Sequence, residues 1–166
     1  MSTPFKWPVP IVSAIIERER DGETEVLLQI RWKPDKDSKY SGTLEIPAGG
    51  IDAFENIYDA LRREVYEETG LRVIKIKPDT QTQVLTSRGD QVFAFQPFYC
   101  QVELKGKPRL GIVFICEVED AEPQPGAREV KNIHWVKKSK LRRIFEETPE
   151  EIFTFQLGAL DYYLNY

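Results

Sequence analysis

The stretch that determines the fold runs from Gly49 to Leu71 and reads GGIDAFENIYDALRREVYEETGL. It opens with a pair of glycines, and the segment from Asn56 to Thr69 then contains neither Gly nor Pro. That segment carries apolar residues at the spacing of a helix, and Gly70 is a typical residue just beyond a helix C-terminus. The stretch therefore predicts a glycine turn followed by a helix.

The predicted helix carries three acidic side chains close to its apolar side. Because each helical residue turns by roughly 100°, Glu64 and Glu68 lie on one face, with Glu67 beside them. Both Glu64 and Glu68 fall within about 20° of Ile57, which belongs to the apolar stripe. A solvated acidic face is the ordinary explanation for glutamates on a helix, but here the carboxylates border the stripe that must face the protein.

Uncompensated carboxylates near an apolar stripe repel one another or take up protons, and a bound divalent cation removes this difficulty. Clustered oxygen ligands suit Mg²⁺ or Mn²⁺ better than zinc, and Mg²⁺ usually keeps waters and substrate phosphates as ligands. We therefore expect a substrate that carries phosphate. Arg63 has two possible partners, Glu67 and Glu55, and we expect it to orient the ligand carboxylates. The glycine pair can bring a carbonyl such as that of Ala48 toward the metal.

The chain as a whole has the composition of a globular domain. Its 166 residues are 41% hydrophobic and 30% charged, so we expect residues 1–166 to form a single domain. The net charge of −4 offers no broad attraction to a nucleic-acid polymer or an anionic membrane. Two cysteines, Cys100 and Cys116, are too few for a disulfide framework or a zinc site, and we expect both to be buried thiols.

The N-terminal segment MSTPFKWPVP lacks the apolar region of a secretory signal, and no apolar run is long enough to span a bilayer. We therefore expect a cytoplasmic protein.

Several short β-rich runs surround the predicted helix, and two further helices are predicted at the C-terminal end. The strand predictions are Val9 to Glu17, Glu25 to Trp32, Thr43 to Ile46, Leu71 to Lys77, Gln91 to Leu104, Leu110 to Glu119 and Glu129 to Val136. The helix predictions are Ser139 to Phe145 and Pro149 to Leu164, the second with Thr148 as its N-cap. Their non-alternating order predicts an α+β domain with a mixed sheet.

The spacing of Gly49, Glu55 and the run from Arg63 to Leu71, REVYEETGL, resembles the complete Nudix box of the Nudix hydrolases. The resemblance implies an α/β/α sandwich and the metal-dependent hydrolysis of a nucleoside diphosphate linked to another moiety. Carried over by position, it implies that the metal ligands are Glu64, Glu67, Glu68 and the carbonyl of Ala48.

The resemblance leaves two positions open for the general base, because relatives use either a box glutamate or an acid on a later loop. Glu64 is the box candidate. For the later position we favour Glu129, which follows the segment AEPQPGA and precedes a strand. The alternatives are Glu117, Glu119 and Glu122.

The substrate is less closely defined. The segment from Leu44 to Gly49 resembles relatives that cleave ADP-ribose and similar nucleotide sugars, whereas Phe54 stands where many relatives have glycine. We rank nucleotide sugars first and nucleoside triphosphates or dinucleoside polyphosphates next. Arg31 and Arg88 are candidate phosphate contacts, and Trp32 is a candidate stacking residue.

Two broader questions stay open. A protein that retains the fold and senses a nucleotide without hydrolysing it is the alternative to an enzyme, and the complete set of box carboxylates favours the enzyme. Relatives often form homodimers, and the aromatic C-terminal segment FTFQLGALDYYLNY fits either a dimer contact or a helix that packs on its own sheet.

Overall fold

The computed structural model describes residues 7–79, 83–126 and 128–166. Its first two strands form a long hairpin. The hairpin consists of β1 (Val9–Arg20) and β2 (Glu23–Arg31). Asp21 and Gly22 connect the two strands with φ angles of 53° and 78°, which is the left-handed backbone that Asp-Gly favours in a two-residue turn. The strands predicted from Val9 to Glu17 and from Glu25 to Trp32 are therefore confirmed as the two arms of this hairpin. Residues 1–6 of the N-terminal segment and Ala127 of the AEPQPGA loop lie outside the described residues.

Eight of the described strands form one mixed sheet. Its central order is β10-β2-β1-β9-β5, with β3 added to β2, β4 to β1 and β8 to β9. The pairing of β1 with β9 is parallel and the other pairings are antiparallel. A separate hairpin pairs β6 with β7. The remaining bounds are β3 Leu44–Glu45, β4 Ala48–Gly50, β5 Val73–Lys77, β6 Gln83–Ser87, β7 Asp90–Ala94, β8 Tyr99–Val102, β9 Arg109–Val118 and β10 Val130–Lys137.

Helices cover both faces of the sheet and complete the predicted α/β/α sandwich. On one face lies α1 (Ile57–Thr69), and on the other lie α2 (Lys138–Glu147) and α3 (Leu157–Asn165). In β1, Ala14 and Ile16 pack in the core beside α1, whereas Ile15 packs in the opposite core. Because both faces are buried, the strand reads as a continuous apolar run instead of an alternating one.

Two predicted elements were wrong in their extent. The run from Gln91 to Leu104 is divided between β7 and β8, and Pro97, which has no N–H to donate to a ladder, lies between them. The predicted helix from Pro149 to Leu164 contains only α3 as an α-helix. Ile152 instead forms a parallel bridge with Leu44, and the Phe153 amide donates to the Leu44 carbonyl at 2.8 Å. These tertiary bonds outweigh the local preference for helix.

Thr148 holds the N-cap position of a 3₁₀ turn, Pro149–Glu151, and not that of an α-helix. The Thr148 side chain makes no capping bond to the turn that follows it.

The C-terminal helix packs on its own sheet, as the simpler of the two interpretations predicted. Its buried residues are Ala159, Leu160, Tyr163 and Leu164.

Cys116 is buried as expected, but Cys100 is exposed because it lies on β8, which pairs only with β9 in the described sheet. Within residues 7–79, 83–126 and 128–166, no helix has the length and apolarity that crossing a bilayer requires.

Candidate active site

The box helix has well-defined ends. The Asn56 side chain accepts a hydrogen bond from the Tyr58 amide at 2.9 Å, which caps the N-terminus. Gly70 adopts the left-handed conformation with φ 71° and donates to the Tyr66 carbonyl at 2.8 Å. Burial of the apolar stripe then fixes the rotation of the helix, so that Glu68 is only 7% exposed. The predicted boundaries of the helix and the inward position of Glu64 and Glu68 are confirmed, whereas Glu67 is exposed.

Gly49 lies in direct contact with the carboxylate of Glu64. A Cβ atom added to Gly49 would lie 1.9 Å from both Cδ and Oε2 of Glu64. The same addition at Gly50 meets nothing within 4 Å. The box therefore requires glycine at position 49 because the carboxylate of the helix occupies the space that a side chain would need.

Arg63 connects the beginning of the box to its helix. Its Nε and Nη2 atoms donate to Oε1 and Oε2 of Glu55, both at 2.9 Å, and Nη2 also donates to the Gly50 carbonyl at 2.9 Å. Nη1 donates to Glu64 at 2.6 Å and lies 3.6 Å from Glu67. Both partners predicted for Arg63 are therefore present, and bonding to Arg63 lowers the pKa of Glu55 to about 2.

Glu68 points away from Arg63 and toward the sheet. Its Oε2 atom accepts hydrogen bonds from the Gln29 side-chain amide at 2.8 Å and from the Ala48 backbone amide at 3.1 Å. The Gln29 amide also donates to Glu45 at 3.2 Å, so two buried carboxylates share one neutral donor. Burial, together with the negative charge of Glu45, raises the pKa of Glu68 to about 8. Burial likewise raises the pKa of Glu64 and Glu45.

Two of the predicted metal ligands, Glu64 and Glu68, contact β4, whereas the Glu67 side chain is more than half exposed. Glu64 and Glu67 approach Arg63, and Glu68 approaches Gln29. Among the described residues, no three Asp, Glu, His or Cys side chains are arranged as a preformed metal site. The donor set nonetheless fits Mg²⁺ or Mn²⁺, because it consists of oxygen atoms and includes a buried carboxylate that lacks a cationic partner.

A cavity of about 350 Å³ lies beside the box. One side, which we call the box wall, consists of Ala48, Gly49 and Gly50, backed by the carboxylates of α1. The cations around the rest of the cavity form what we call the cationic wall, which comprises Arg31, Lys33, Lys36, Lys107 and Arg109.

Three carboxylates, Asp37, Glu45 and Glu129, also line the cavity. The five cations therefore leave a formal excess of two positive charges in a chain whose net charge is −4.

Of the three residues predicted to contact substrate, the structure places only Arg31 in the wall of the cavity. Arg31 is buried in the cavity wall and pairs with Glu45 at 3.1 Å. Trp32 lies outside β2, against the Lys131 ammonium at 3.4 Å from its ring centroid, and borders a neighbouring depression. Arg88 lies in the exposed turn between β6 and β7 and is not among the residues that line the cavity.

Glu129 lines the cavity, as expected for a later acid, but it has two cationic partners. Its carboxylate lies 2.6 Å from the Lys33 ammonium and 2.8 Å from the Lys36 ammonium. Bonding to these two lysines lowers the pKa of Glu129 to about 2. The alternatives Glu117 and Glu119 contact Lys77 and the Arg72 amide respectively.

Sequence reasoning missed several residues of the site, namely Gln29, Asp37, Glu45, Lys107 and Arg109. One signal was available for Gln29, because an amide in the middle of an otherwise apolar strand is unusual. No comparable signal existed for the others, which lie in polar loops and at strand ends that the fold brings together.

Comparison with known proteins agrees with this geometry. The family model for the NUDIX domain matches residues 7–155. The chain belongs to the Nudix family. The Nudix match confirms the family and the sandwich fold predicted from the box.

Curated relatives resemble shorter parts of the chain. The RNA pyrophosphohydrolase of Bartonella henselae is 49% identical over 41 residues, which are 25% of this chain and 24% of that protein. The RNA pyrophosphohydrolase of Bartonella bacilliformis is 33% identical over 67 residues, 40% of this chain and 39% of that protein. The matches thus span well under half of these relatives. Their name agrees with the prediction of a hydrolytic enzyme.

Solved structures share the Nudix fold at low sequence identity. The NUDIX domain of Shewanella oneidensis NrtR, solved with ADP ribose, has a TM-score of 0.64 and 15% identity, covering 96% of this chain and 90% of that one. A NUDIX hydrolase from Nitrosomonas europaea has a TM-score of 0.63 and 21% identity, covering 95% and 90%. An Ap4A hydrolase from C. elegans has a TM-score of 0.58 and 18% identity, covering 95% and 98%.

Proposed function

We propose that this Nudix protein hydrolyses the pyrophosphate bond of a nucleoside diphosphate linked to another moiety, using Mg²⁺ or Mn²⁺. The observation that carries the proposal is the position of the box carboxylates. Glu64 fills the space beside Gly49, and Glu68 is buried beside Glu45, with no cationic partner among the residues that the structure describes. This arrangement concentrates negative charge where a divalent cation would stabilise it.

The ligands that we assign to the metal are Glu64, Glu67, Glu68 and the carbonyl of Ala48. When bound, the ion supplies positive charge to the diphosphate and to the water that attacks it. The side chains of the box have complementary tasks. Arg63 fixes the direction of Glu64 by a bond of 2.6 Å, and its bidentate bond to Glu55 fixes Arg63 itself.

Glu64 is our preferred general base and Glu129 the alternative. The contacts of Glu129 with Lys33 and Lys36 support this preference, because a carboxylate with a pKa of about 2 is a weak acceptor of protons. We assign Glu129 the task of holding the two lysines at the cavity.

Two substrate classes fit the cavity. A nucleotide sugar such as ADP-ribose agrees with the LEIPAGG segment, and the NrtR domain solved with ADP ribose shares the fold. A nucleoside triphosphate or a dinucleoside polyphosphate agrees with the cationic wall, whose five cations exceed the three carboxylates of the cavity by two. Relatives named RNA pyrophosphohydrolase and Ap4A hydrolase support the second class. The cytoplasmic location and the homodimer stay predictions.

The proposal is tested by Glu68→Gln in a hydrolysis assay with Mg²⁺, Mn²⁺ or chelator. We expect turnover of a nucleotide panel to require the metal and to fall by orders of magnitude in Glu68→Gln, because the substitution removes a ligand charge. Asp59→Asn, on the exposed side of the same helix, is the matched control and should retain activity. Circular dichroism checks that both variants fold. Full activity of Glu68→Gln in excess chelator would refute the mechanism, and metal-dependent nucleotide binding without turnover in the wild type would favour the nucleotide-sensing alternative.

A further inference from the structure

Asp37 is a buried carboxylate at the centre of the cationic wall. It lies in the polar loop between β2 and β3 and is 8% exposed. Three cations from two separate parts of the chain surround it. Its Oδ2 atom lies 2.7 Å from Nη2 of Arg31 and 3.7 Å from Nη2 of Arg109, and its Oδ1 atom lies 3.4 Å from Nζ of Lys107. One internal anion therefore serves three cations in a position that faces the cavity.

The three cations around Asp37 face three carboxylates in all, because two of them have a further acidic partner. Arg31 also pairs with Glu45 at 3.1 Å, and Arg109 also pairs with Glu103 at 3.2 Å. The Nε atom of Arg31 is nevertheless buried without a hydrogen-bond partner among the described residues. Lys107 is about half exposed, with 52% of its side chain open to solvent. The exposed ammonium of Lys107 is therefore the group at Asp37 that a second anion reaches first.

Aromatic rings hold the two guanidinium groups in place. Arg31 lies 4.4 Å from the ring centroid of Phe153, and Arg109 lies 5.3 Å from the same ring and 5.4 Å from that of Phe155. Both rings are buried and line the cavity. Cation–π contact and stacking restrict the arginines to one orientation, so little further order is lost when an anion binds.

We propose that Asp37 occupies, in the free protein, an anion site that receives a phosphate of the substrate beyond the diphosphate that is cleaved. The preferred substrate is then a nucleotide with three or more phosphates in a row, such as a nucleoside triphosphate end. This inference rests on the proposed function, because it takes the cleaved diphosphate to lie at the box wall. A metal ion neutralises that diphosphate, so the excess cations are left for a further charged group. An incoming phosphate shares or displaces the contacts of Asp37 with Lys107 and Arg109.

Isothermal titration calorimetry of ATP and ADP-ribose in the presence of chelator tests the inference without turnover. In Asp37→Asn the internal anion is neutral, and we expect the Kd for ATP to fall roughly threefold to tenfold while the Kd for ADP-ribose changes by less than about twofold. Glu103→Gln is the matched control, because Glu103 also pairs with Arg109 but does not line the cavity. We expect it to change both constants by less than about twofold.

Lys107→Gln gives an independent measurement, since this half-exposed side chain is replaced without disturbing the core. We expect it to raise the Kd for ATP at least roughly threefold and to leave that for ADP-ribose unchanged. If Asp37→Asn does not fold, Lys107→Gln by itself tests the inference. Equal changes for the two nucleotides in either variant, weaker ATP binding in a folded Asp37→Asn, or no binding by the wild type at millimolar ATP would overturn the inference. Failure of the proposed function is recognised separately, as absence of hydrolysis with Mg²⁺ or Mn²⁺.

Discussion

The two walls of the cavity differ in how the chain builds them. In the box wall, Arg63 bonds to Glu55, Glu64 and Gly50, all within the 23 residues from Gly49 to Leu71. In the cationic wall, residues of β2 and the following loop meet residues before and within β9, and Glu129 before β10. The residues proposed to carry out the chemistry are thus close together in the sequence. Those proposed to select the substrate are far apart in the sequence and meet only in the tertiary structure.

The walls also differ in electrostatics. In the box wall, burial raises the pKa of Glu64 and Glu68, and the carboxylates Glu55, Glu64 and Glu67 share the single guanidinium of Arg63. In the cationic wall, bonding to Lys33 and Lys36 lowers the pKa of Glu129 to about 2. Burial alone would raise the pKa of Asp37, but Arg31 and Lys107 outweigh this effect and lower it. One wall therefore fits a metal and the other fits phosphate.

The largest expected effect is in the box wall, from Gly49→Ala. The added Cβ would lie 1.9 Å from Cδ of Glu64, so the carboxylate must move away from its position beside Arg63. We expect kcat/KM to fall roughly 100-fold or more and the free energy of unfolding to fall by about 1–3 kcal/mol. Steady-state kinetics and urea denaturation measure the two effects. Gly50→Ala, where a Cβ meets nothing, is the control, and similar losses in both variants would contradict the steric explanation.

Arg63→Lys should have the next largest effect. A lysine is a single point donor and cannot reproduce the bidentate bond to Glu55 together with the bonds to Gly50 and Glu64. We expect kcat to fall roughly 10-fold to 100-fold, as for other residues that orient metal ligands. Arg62→Lys is the control, since within the described part of the chain Arg62 forms an ion pair only with exposed Asp59, at 3.3 Å. Unchanged kcat in Arg63→Lys would show that a positive charge alone is sufficient.

A smaller effect on stability is expected in the cationic wall, from Glu129→Gln. Because Lys33 and Lys36 lower the pKa of Glu129 to about 2, its ion pairs stabilise the fold above the ordinary carboxyl pKa near 4.3. That stabilisation is lost as the pH falls from about 4.5 toward 2. The carboxylate is 37% exposed, so we expect the wild type to exceed Glu129→Gln by less than about 1 kcal/mol at pH 7. Urea unfolding across this pH range measures the difference.

The same variant distinguishes the two tasks considered for Glu129. If it only holds the lysines, kcat of Glu129→Gln should stay within a few fold of the wild type. A fall in kcat by orders of magnitude would instead identify Glu129 as the general base.

The smallest expected effect is that of Arg88→Ala. Arg88 lies in the exposed turn of the β6–β7 hairpin, and the residues that line the cavity do not include it. We expect kcat/KM to change by less than about twofold and stability by less than about 0.5 kcal/mol. A large rise in KM would place the substrate over this hairpin and would extend the site beyond the two walls.

Elements whose bonds join nearby residues were predicted correctly, whereas elements that depend on distant contacts were not. The box helix was predicted with its ends, because Asn56 and Gly70 act through bonds to residues two to four positions away. The segment after Thr148 was predicted as a continuous helix, yet Phe153 bonds to Leu44, more than a hundred residues earlier. Cys100 was predicted to be buried but is exposed, because the burial of a residue on β8 depends on which elements lie beside that strand.

The sequence by itself determined the Nudix box and its helix, because both depend on side-chain spacing within a short segment. It also determined the α+β class, because that class follows from the order of helices and strands along the chain. The residues assigned to the metal stay a prediction. Only the tertiary structure revealed that Gln29 links Glu68 to Glu45, and that Arg31, Lys107 and Arg109 meet at Asp37. These contacts join β2 and its loop to α1 and to the start of β9. Their geometry depends on strand order and loop closure, which no local spacing specifies.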